Sequence, residues 1–322
     1  MRTRLEEGTR GEFEVEKELG RGGMGAVYLA RERALDRRVA IKVLFPHLMA
    51  DPTNLERFRH EARIVAALRH PNIVSIHTVR DLGDLHFFVM DFVEGASLKS
   101  VIASHGPLPI PVVEALCYQV GSALAYAHRQ GSGVIHRDIK PSNIMLDRDG
   151  NAIVMDFGLS KALDTSTGLT RSGAVVGTPE YMSPEQGRGD FLTTSSDQYA
   201  FGLVAYAMLA GAPPFTGTQF QVLMAHAHHD PAPIAEVRPD CPEPLAAGVE
   251  KMLAKSPSGR WPDLVDFLRA VGGRPPAHGD PVLAEAGAMA EAAMDVDAEP
   301  EGIVSLTLSN PPSDLRPGDR FV

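Results

Sequence analysis

Short apolar runs give way to helical spacing along this chain, and the change of period predicts its elements. Ala26-Val27-Tyr28-Leu29-Ala30 and Val39-Ala40-Ile41-Lys42-Val43 read as two strands joined by a charged turn at 31–38. Leu55, Phe58, Ala62, Val65 and Leu68 then recur at helical spacing, which predicts a helix over 54–68. His70-Pro71 ends it, because a residue before proline is driven out of the helical region. Phe87-Phe88-Val89-Met90-Asp91-Phe92-Val93 predicts a buried strand. The most hydrophobic run is 196–212. Its apolar stretch from Tyr199 is shorter than the roughly 18–20 residues a bilayer needs, so it predicts a helix buried on all sides.

The pattern stops after Gly272. Residues 273–301 are rich in Ala, Pro and acids, and no Lys or Arg lies between Arg274 and Arg316. This predicts a disordered linker or tail. Beyond it, Ile303-Val304-Ser305-Leu306-Thr307-Leu308 predicts a lone strand or docking segment. The 322 residues, 44% hydrophobic, suffice for one large domain, and a net charge of −10 argues against a general nucleic-acid binder. Cys117 and Cys241 build no disulfide framework, and Met1–Thr9 has no apolar signal-peptide core, so the expected location is cytoplasmic.

His136-Arg137-Asp138-Ile139-Lys140-Pro141-Ser142-Asn143, followed by Asp156-Phe157-Gly158, brings in chemistry. Asp138 is suited to accept or orient a hydroxyl proton, and Lys140 to neutralise charge on a transferred phosphoryl group. Asn143 and Asp156 offer hard oxygen ligands for magnesium. Upstream, Leu19-Gly20-Arg21-Gly22-Gly23-Met24-Gly25-Ala26-Val27 is a glycine loop whose backbone N–H groups can approach phosphates. Taken alone it also fits a dinucleotide fingerprint, but a strand rather than a helix follows it, and no Gly-Lys-Ser/Thr closes a Walker loop. His226, His228 and His229 are too irregularly spaced for a metal site and predict a surface helix end. Asp147, Asp149, Gly150 and Asn151 predict a β-turn rather than a calcium loop.

In this order the motifs resemble the bacterial eukaryotic-type (Hanks-type) serine/threonine protein kinases. The resemblance implies an α+β, two-lobed protein kinase fold: an N-lobe antiparallel sheet plus one helix, a mainly helical C-lobe and a disordered C-terminal tail. The implied boundaries are an N-terminal tail over 1–11, a kinase domain over 12–271 (N-lobe about 12–92, C-lobe about 93–271) and the linker or tail over 272–322. ATP would lie between the lobes with Mg²⁺, or Mn²⁺ in its place, on Asn143 and Asp156. Leu19, Gly20, Gly22, Gly25, Val27, Ala40, Lys42, Met90, Asp91, Val93 and Met145 would surround the nucleotide, with Met90 as gatekeeper. Asp138, Lys140, Lys42 and Glu61 would be catalytic, Glu61 pairing with Lys42 in the active state. Arg137, Thr178, Glu185, Asp197 and Arg260 would be structural, with Glu185 against Arg260 and Asp197 anchoring the catalytic loop. Val65, Ile76, His136 and Phe157 line up as a regulatory stack, and Thr170 and Ser172 as self-phosphorylated loop positions. Ser183 replaces the alanine usual in Met182-Ser183-Pro184-Glu185.

The implied partners are protein substrates, a second copy for trans-autophosphorylation, and phospho-dependent binders of the loop or tail; nucleic acid is not among them. Lys140 two residues after Asp138 is the Ser/Thr arrangement. Ser97 and Ser142 stand where basophilic relatives place acids, which argues against a strong preference for basic substrates. A non-catalytic nucleotide-sensing scaffold is the alternative, although Lys42, Asp138 and Asp156 are all present.

Overall fold

The computed structural model describes residues 1–22, 25–49, 52–83, 85–131, 133–157, 179–277 and 279–297. A short helix, α1 (Arg2–Gly8), precedes a hairpin of β1 (Phe13–Gly22) and β2 (Gly25–Glu32), which continues into β3 (Arg37–Leu44). Then come α2 (Pro52–Ala66), β4 (Ile76–Leu82) and β5 (Leu85–Asp91). The strands form a five-stranded sheet in the order β1-β2-β3-β5-β4, antiparallel throughout. Successive residues on a strand point to opposite faces. Val39, Ile41 and Val43 therefore join Phe87 and Val89 in one apolar layer. Ala40, Lys42 and Leu44 face the other way, toward the rest of the molecule.

The outer layer explains a departure from expectation. Residues 1–11, expected as a tail, include α1, whose Leu5 is fully buried in that layer. Arg2 donates to the Val15 carbonyl and Thr9 Oγ1 to the Leu5 carbonyl. Without this cover the apolar rows of β3 and β5 would face water, and burial of apolar area drives the docking.

The C-lobe begins with β6 (Gly95–Ser97), α3 (Leu98–His105) and α4 (Ile110–His128), followed by the small sheet strands β7 (Ile144–Asp147) and β8 (Ala152–Val154). After the undescribed stretch come α5 (Pro184–Arg188), α6 (Thr194–Ala210), α7 (Gln219–His228), α8 (Ile234–Val237), α9 (Glu243–Met252), α10 (Leu264–Ala270) and α11 (Pro281–Asp297). Every residue from Ser196 to Leu209 of α6 is buried, as its all-round apolarity requires. A capping box on Thr193 starts this helix, and Gly211, at φ 82°, ends it. Among the described residues α4 is long and apolar enough to cross a membrane, but it is two-thirds buried here, packed against α6, α10 and α11.

Two further expectations change. Residues 281–297 fell within the expected disordered linker, yet they form α11 on the C-lobe. Ala286, Ala290 and Ala293 recur at helical spacing and are fully buried, so the small side chains form a packing face. His226, expected on a surface, is buried between Tyr199 and Phe215. Its Nδ1 lies 3.0 Å from the Tyr199 hydroxyl, and burial pushes its pKa down to about 4.

Candidate active site

The loop between α4 and β7 carries a dense polar network. Asp197, buried near the start of α6, accepts from the backbone N–H groups of His136 at 2.7 Å and Arg137 at 2.8 Å, and lies 2.8 Å from His128 Nε2. Burial pushes its carboxyl up, but the His128 contact and the neighbouring imidazoles and N–H groups outweigh burial and hold it below the usual aspartate range. These bonds fix Arg137 at φ 69°, a conformation few non-glycine residues adopt. Gln186 Nε2 holds the Arg137 carbonyl from the far side at 3.0 Å.

The loop then presents its chemistry in one cluster. Lys140 Nζ lies 3.0 Å from Asp138 Oδ2, and Asn143 Nδ2 donates to that oxygen at 3.0 Å and to the Asp138 carbonyl at 2.8 Å. The Met155 N–H donates to the Asn143 carbonyl at 2.8 Å, which ties this cluster to the segment carrying Asp156. Asp156, at φ 55°, meets Lys42 Nζ at 2.7 Å. Burial raises the Asp156 carboxyl, and the charge and hydrogen bond of Lys42 more than reverse it, so the group stays ionised.

Glu61 does not make the expected contact with Lys42. It sits 3.2 Å from Arg137 Nη1 instead, while Lys42 turns to Asp156. Burial raises the Glu61 carboxyl, and Arg137 only partly offsets the shift. The four residues aligned as a stack, Val65, Ile76, His136 and Phe157, are all buried, with the His136 and Phe157 rings 4.6 Å apart. Thr178, Thr170 and Ser172 lie outside the described residues.

Between the lobes a cleft of about 490 Å³ is lined by Leu19, Gly20, Val27 and Ala40 above, Met90, Asp91 and Val93 at the hinge, and Met145 below. All eight are positions the motifs pointed to. Gly20 and Gly22 have open space where a Cβ would stand, as close approach of a phosphate to backbone requires. Gly25 has a different reason to be glycine, since a Cβ there would overlap the Val43 carbonyl of β3. Phe92, between the hinge positions Asp91 and Val93, lines it too, as do Ser97 and Ser142, which the sequence had singled out only for substrate preference; the motifs missed Lys17, Gly95, Met155 and Met294. Met155 was within reach, because it directly precedes Asp156; Met294 lies far along the chain and carries no motif.

Away from the cleft, Arg260 grips Glu185 with two bonds, at 2.7 and 3.0 Å, and both side chains are buried. Burial alone would raise the Glu185 carboxyl; Arg260 overrides it and holds the group below its ordinary value.

A two-lobed fold with a lysine strand, an Asp-Lys-Asn loop and an interlobe cleft defines the protein kinase class. Residues 13–265 match the protein kinase domain family, and the chain belongs to it. It is 40% identical over 273 residues to the serine/threonine-protein kinase PknB of Mycobacterium leprae, covering 82% of this chain and 44% of that protein. It is 38% identical over 258 residues to PrkC of Bacillus subtilis, covering 80% of this chain and 39% of the relative. The chain thus spans less than half the length of these relatives. The kinase domain of Mycobacterium tuberculosis PknI superposes with a TM-score of 0.64 at 29% identity, covering 81% of this chain and 95% of that domain.

Proposed function

We propose that this chain transfers the γ-phosphoryl group of ATP to serine or threonine hydroxyls of proteins. The observation that carries this reading is the cluster of Asp138, Lys140 and Asn143 tied through Met155 to Asp156 and Lys42. The Asp138 carboxylate accepts the proton of the incoming hydroxyl, and Asn143, bonded to its Oδ2, fixes its direction. Lys140 stands beside that oxygen to offset charge on the phosphoryl group as it moves. Lys42 positions the nucleotide's phosphates, and the apolar walls of the cleft hold the base and exclude water. The oxygens of Asn143 and Asp156 fit a small hard cation, so these two residues would hold Mg²⁺ or Mn²⁺. When bound, the ion supplies positive charge to the phosphate oxygens. Lys140 at its place after Asp138, and the serine/threonine kinases among the relatives, support aliphatic hydroxyls rather than the tyrosine phenol as acceptors.

Incubation of the purified chain with labelled ATP and magnesium tests the reading. Phosphoserine and phosphothreonine are expected with wild type and neither with Asp138→Asn. Equal labelling of the two proteins would refute it.

Activation follows from the Glu61–Arg137 pair. Arg137 now holds the acid that Lys42 would otherwise attract. A phosphate on Thr170 or Ser172 adds roughly −1.5 to −2 charges and competes for Arg137, releasing Glu61 toward Lys42. A second copy of the chain is the natural catalyst of that transfer, with ATP as the phosphoryl donor and ADP as the leaving group, and the modified loop becomes a mark for phospho-dependent partners. Mass spectrometry of freshly made protein is expected to find phosphate at Thr170 or Ser172, with activity rising alongside it. A Thr170→Ala/Ser172→Ala protein as active as wild type would end this account.

A further inference from the structure

Beyond α10 the chain returns to the catalytic domain, and α11 reaches the nucleotide cleft through Met294. Asp280 Oδ1 accepts from the Val282 N–H at 3.0 Å and starts α11, which lies against β6, β7, α3 and α4. The approach is close enough to demand glycine on both surfaces. A Cβ on Gly287 would overlap the Arg148 carbonyl, and one on Gly150 would overlap the Leu283 carbonyl. Arg148 also bridges the hinge to the helix, with Glu94 at 3.3 Å and Glu291 at 3.4 Å. At the far end Met294, half-buried, lines the same cleft as Met90, Gly95 and Ser97.

We propose that α11 is a wall of the nucleotide site and that Met294 positions the bound nucleotide, contributing to its affinity and selectivity. This rests on the nucleotide-binding reading above. Met294 borders the cleft without filling it, since about 490 Å³ remains. A flexible, polarisable thioether suits contact with a flat base or the sugar beside it. The side chain stands on a helix, so its position depends on docking through the Gly150–Gly287 contact. Docking and nucleotide occupancy are then linked: whatever factor the docked helix adds to nucleotide affinity, nucleotide adds to the docking of the helix.

The test uses the full chain with ADP and ATP as probes. Met294→Ala is expected to raise the Kd for ADP and the KM for ATP about three- to tenfold, from lost apolar contact, while kcat at saturating ATP holds. Gly287→Leu forces α11 away and should weaken ADP at least as much, whereas Ala292→Gln, on the exposed face, should change nothing. In wild type, ADP should slow amide exchange across 281–294. Unchanged ADP affinity in Met294→Ala, tighter binding in that variant, or exchange in 281–294 indifferent to ADP would each overturn the proposal. Failure of wild type to bind ADP would instead overturn the nucleotide-binding reading itself. If Gly287→Leu does not fold, Met294→Ala and the exchange measurement decide.

Discussion

Asp156→Asn is expected to lower turnover by roughly 10²–10³, the usual loss when one preorganised electrostatic contact disappears from a reacting phosphoryl group. The carboxylate has two tasks. It offers a charged oxygen for the cation, and it holds Lys42 Nζ at 2.7 Å. An amide keeps the size of the side chain and the left-handed backbone at φ 55°, which asparagine tolerates, so the fold should survive. Lys42→Met removes the other half of the pair by a different route, taking away the phosphate contact while leaving the cation ligands in place. The two variants should therefore differ in nucleotide affinity: Lys42→Met weakens ATP even without divalent cation, and Asp156→Asn weakens it chiefly when the cation is present. Steady-state phosphotransfer and nucleotide titrations with and without magnesium check this. Near-normal turnover in Asp156→Asn with magnesium would remove the proposed chemistry.

What the sequence made legible was what local chemistry dictates. Asp138, Lys140 and Asn143 fall within six positions of one loop, so their clustering needed no knowledge of distant parts of the chain. The alternation along β3 placed Lys42 and Ala40 on one face for the same reason. The partner of Lys42 was not legible. Glu61 and Asp156 are both carboxylates within reach of the cleft, and the choice between them depends on the position of α2, a tertiary property that pairs Glu61 with Arg137 here. Composition misled at both ends of the catalytic domain. Alanine- and acid-rich 273–301 reads as linker because alanine contributes little apolar area, yet small residues let α11 approach the turn after β7 closely, with Gly287 of the helix against the Arg148 carbonyl and Gly150 of the turn against the Leu283 carbonyl. Leu5 is one apolar residue in a charged segment, and its value lies in the exposed sheet face it finds. The spacing of His226, His228 and His229 argued for a surface helix end and gave no sign that the His226 ring would be buried against Tyr199.

Arg260→Ala is expected to destabilise the protein by about 3–5 kcal/mol, because it strands the buried Glu185 carboxylate. The loss extends beyond one ion pair. Arg260 also donates to the carbonyls of Ala254, Ser195 and Lys255, and its guanidinium lies 4.9 Å from the Tyr199 ring centre. Truncation therefore leaves three carbonyls short of a donor and opens a gap against an aromatic ring, and the melting temperature should fall on the order of 10 °C. The pH dependence identifies the stranded charge as the cause. In wild type the folded-state pKa of Glu185 is lowered, so its contribution is complete above the ordinary glutamate range and is lost as pH falls through the folded value. In Arg260→Ala the two largest lowering contributions are gone and burial, opposed only by the smaller backbone and Ser196 hydrogen bonds, pushes that pKa up, so acid neutralises the carboxyl and relieves the penalty. The stability gap between the two proteins should thus narrow from pH 7 toward pH 4 in thermal melts. Glu185→Leu/Arg260→Met, which removes both charges and keeps apolar volume, should recover much of the loss. A gap that stays constant with pH, together with a double variant as unstable as Arg260→Ala, would place the damage in packing rather than in the pair.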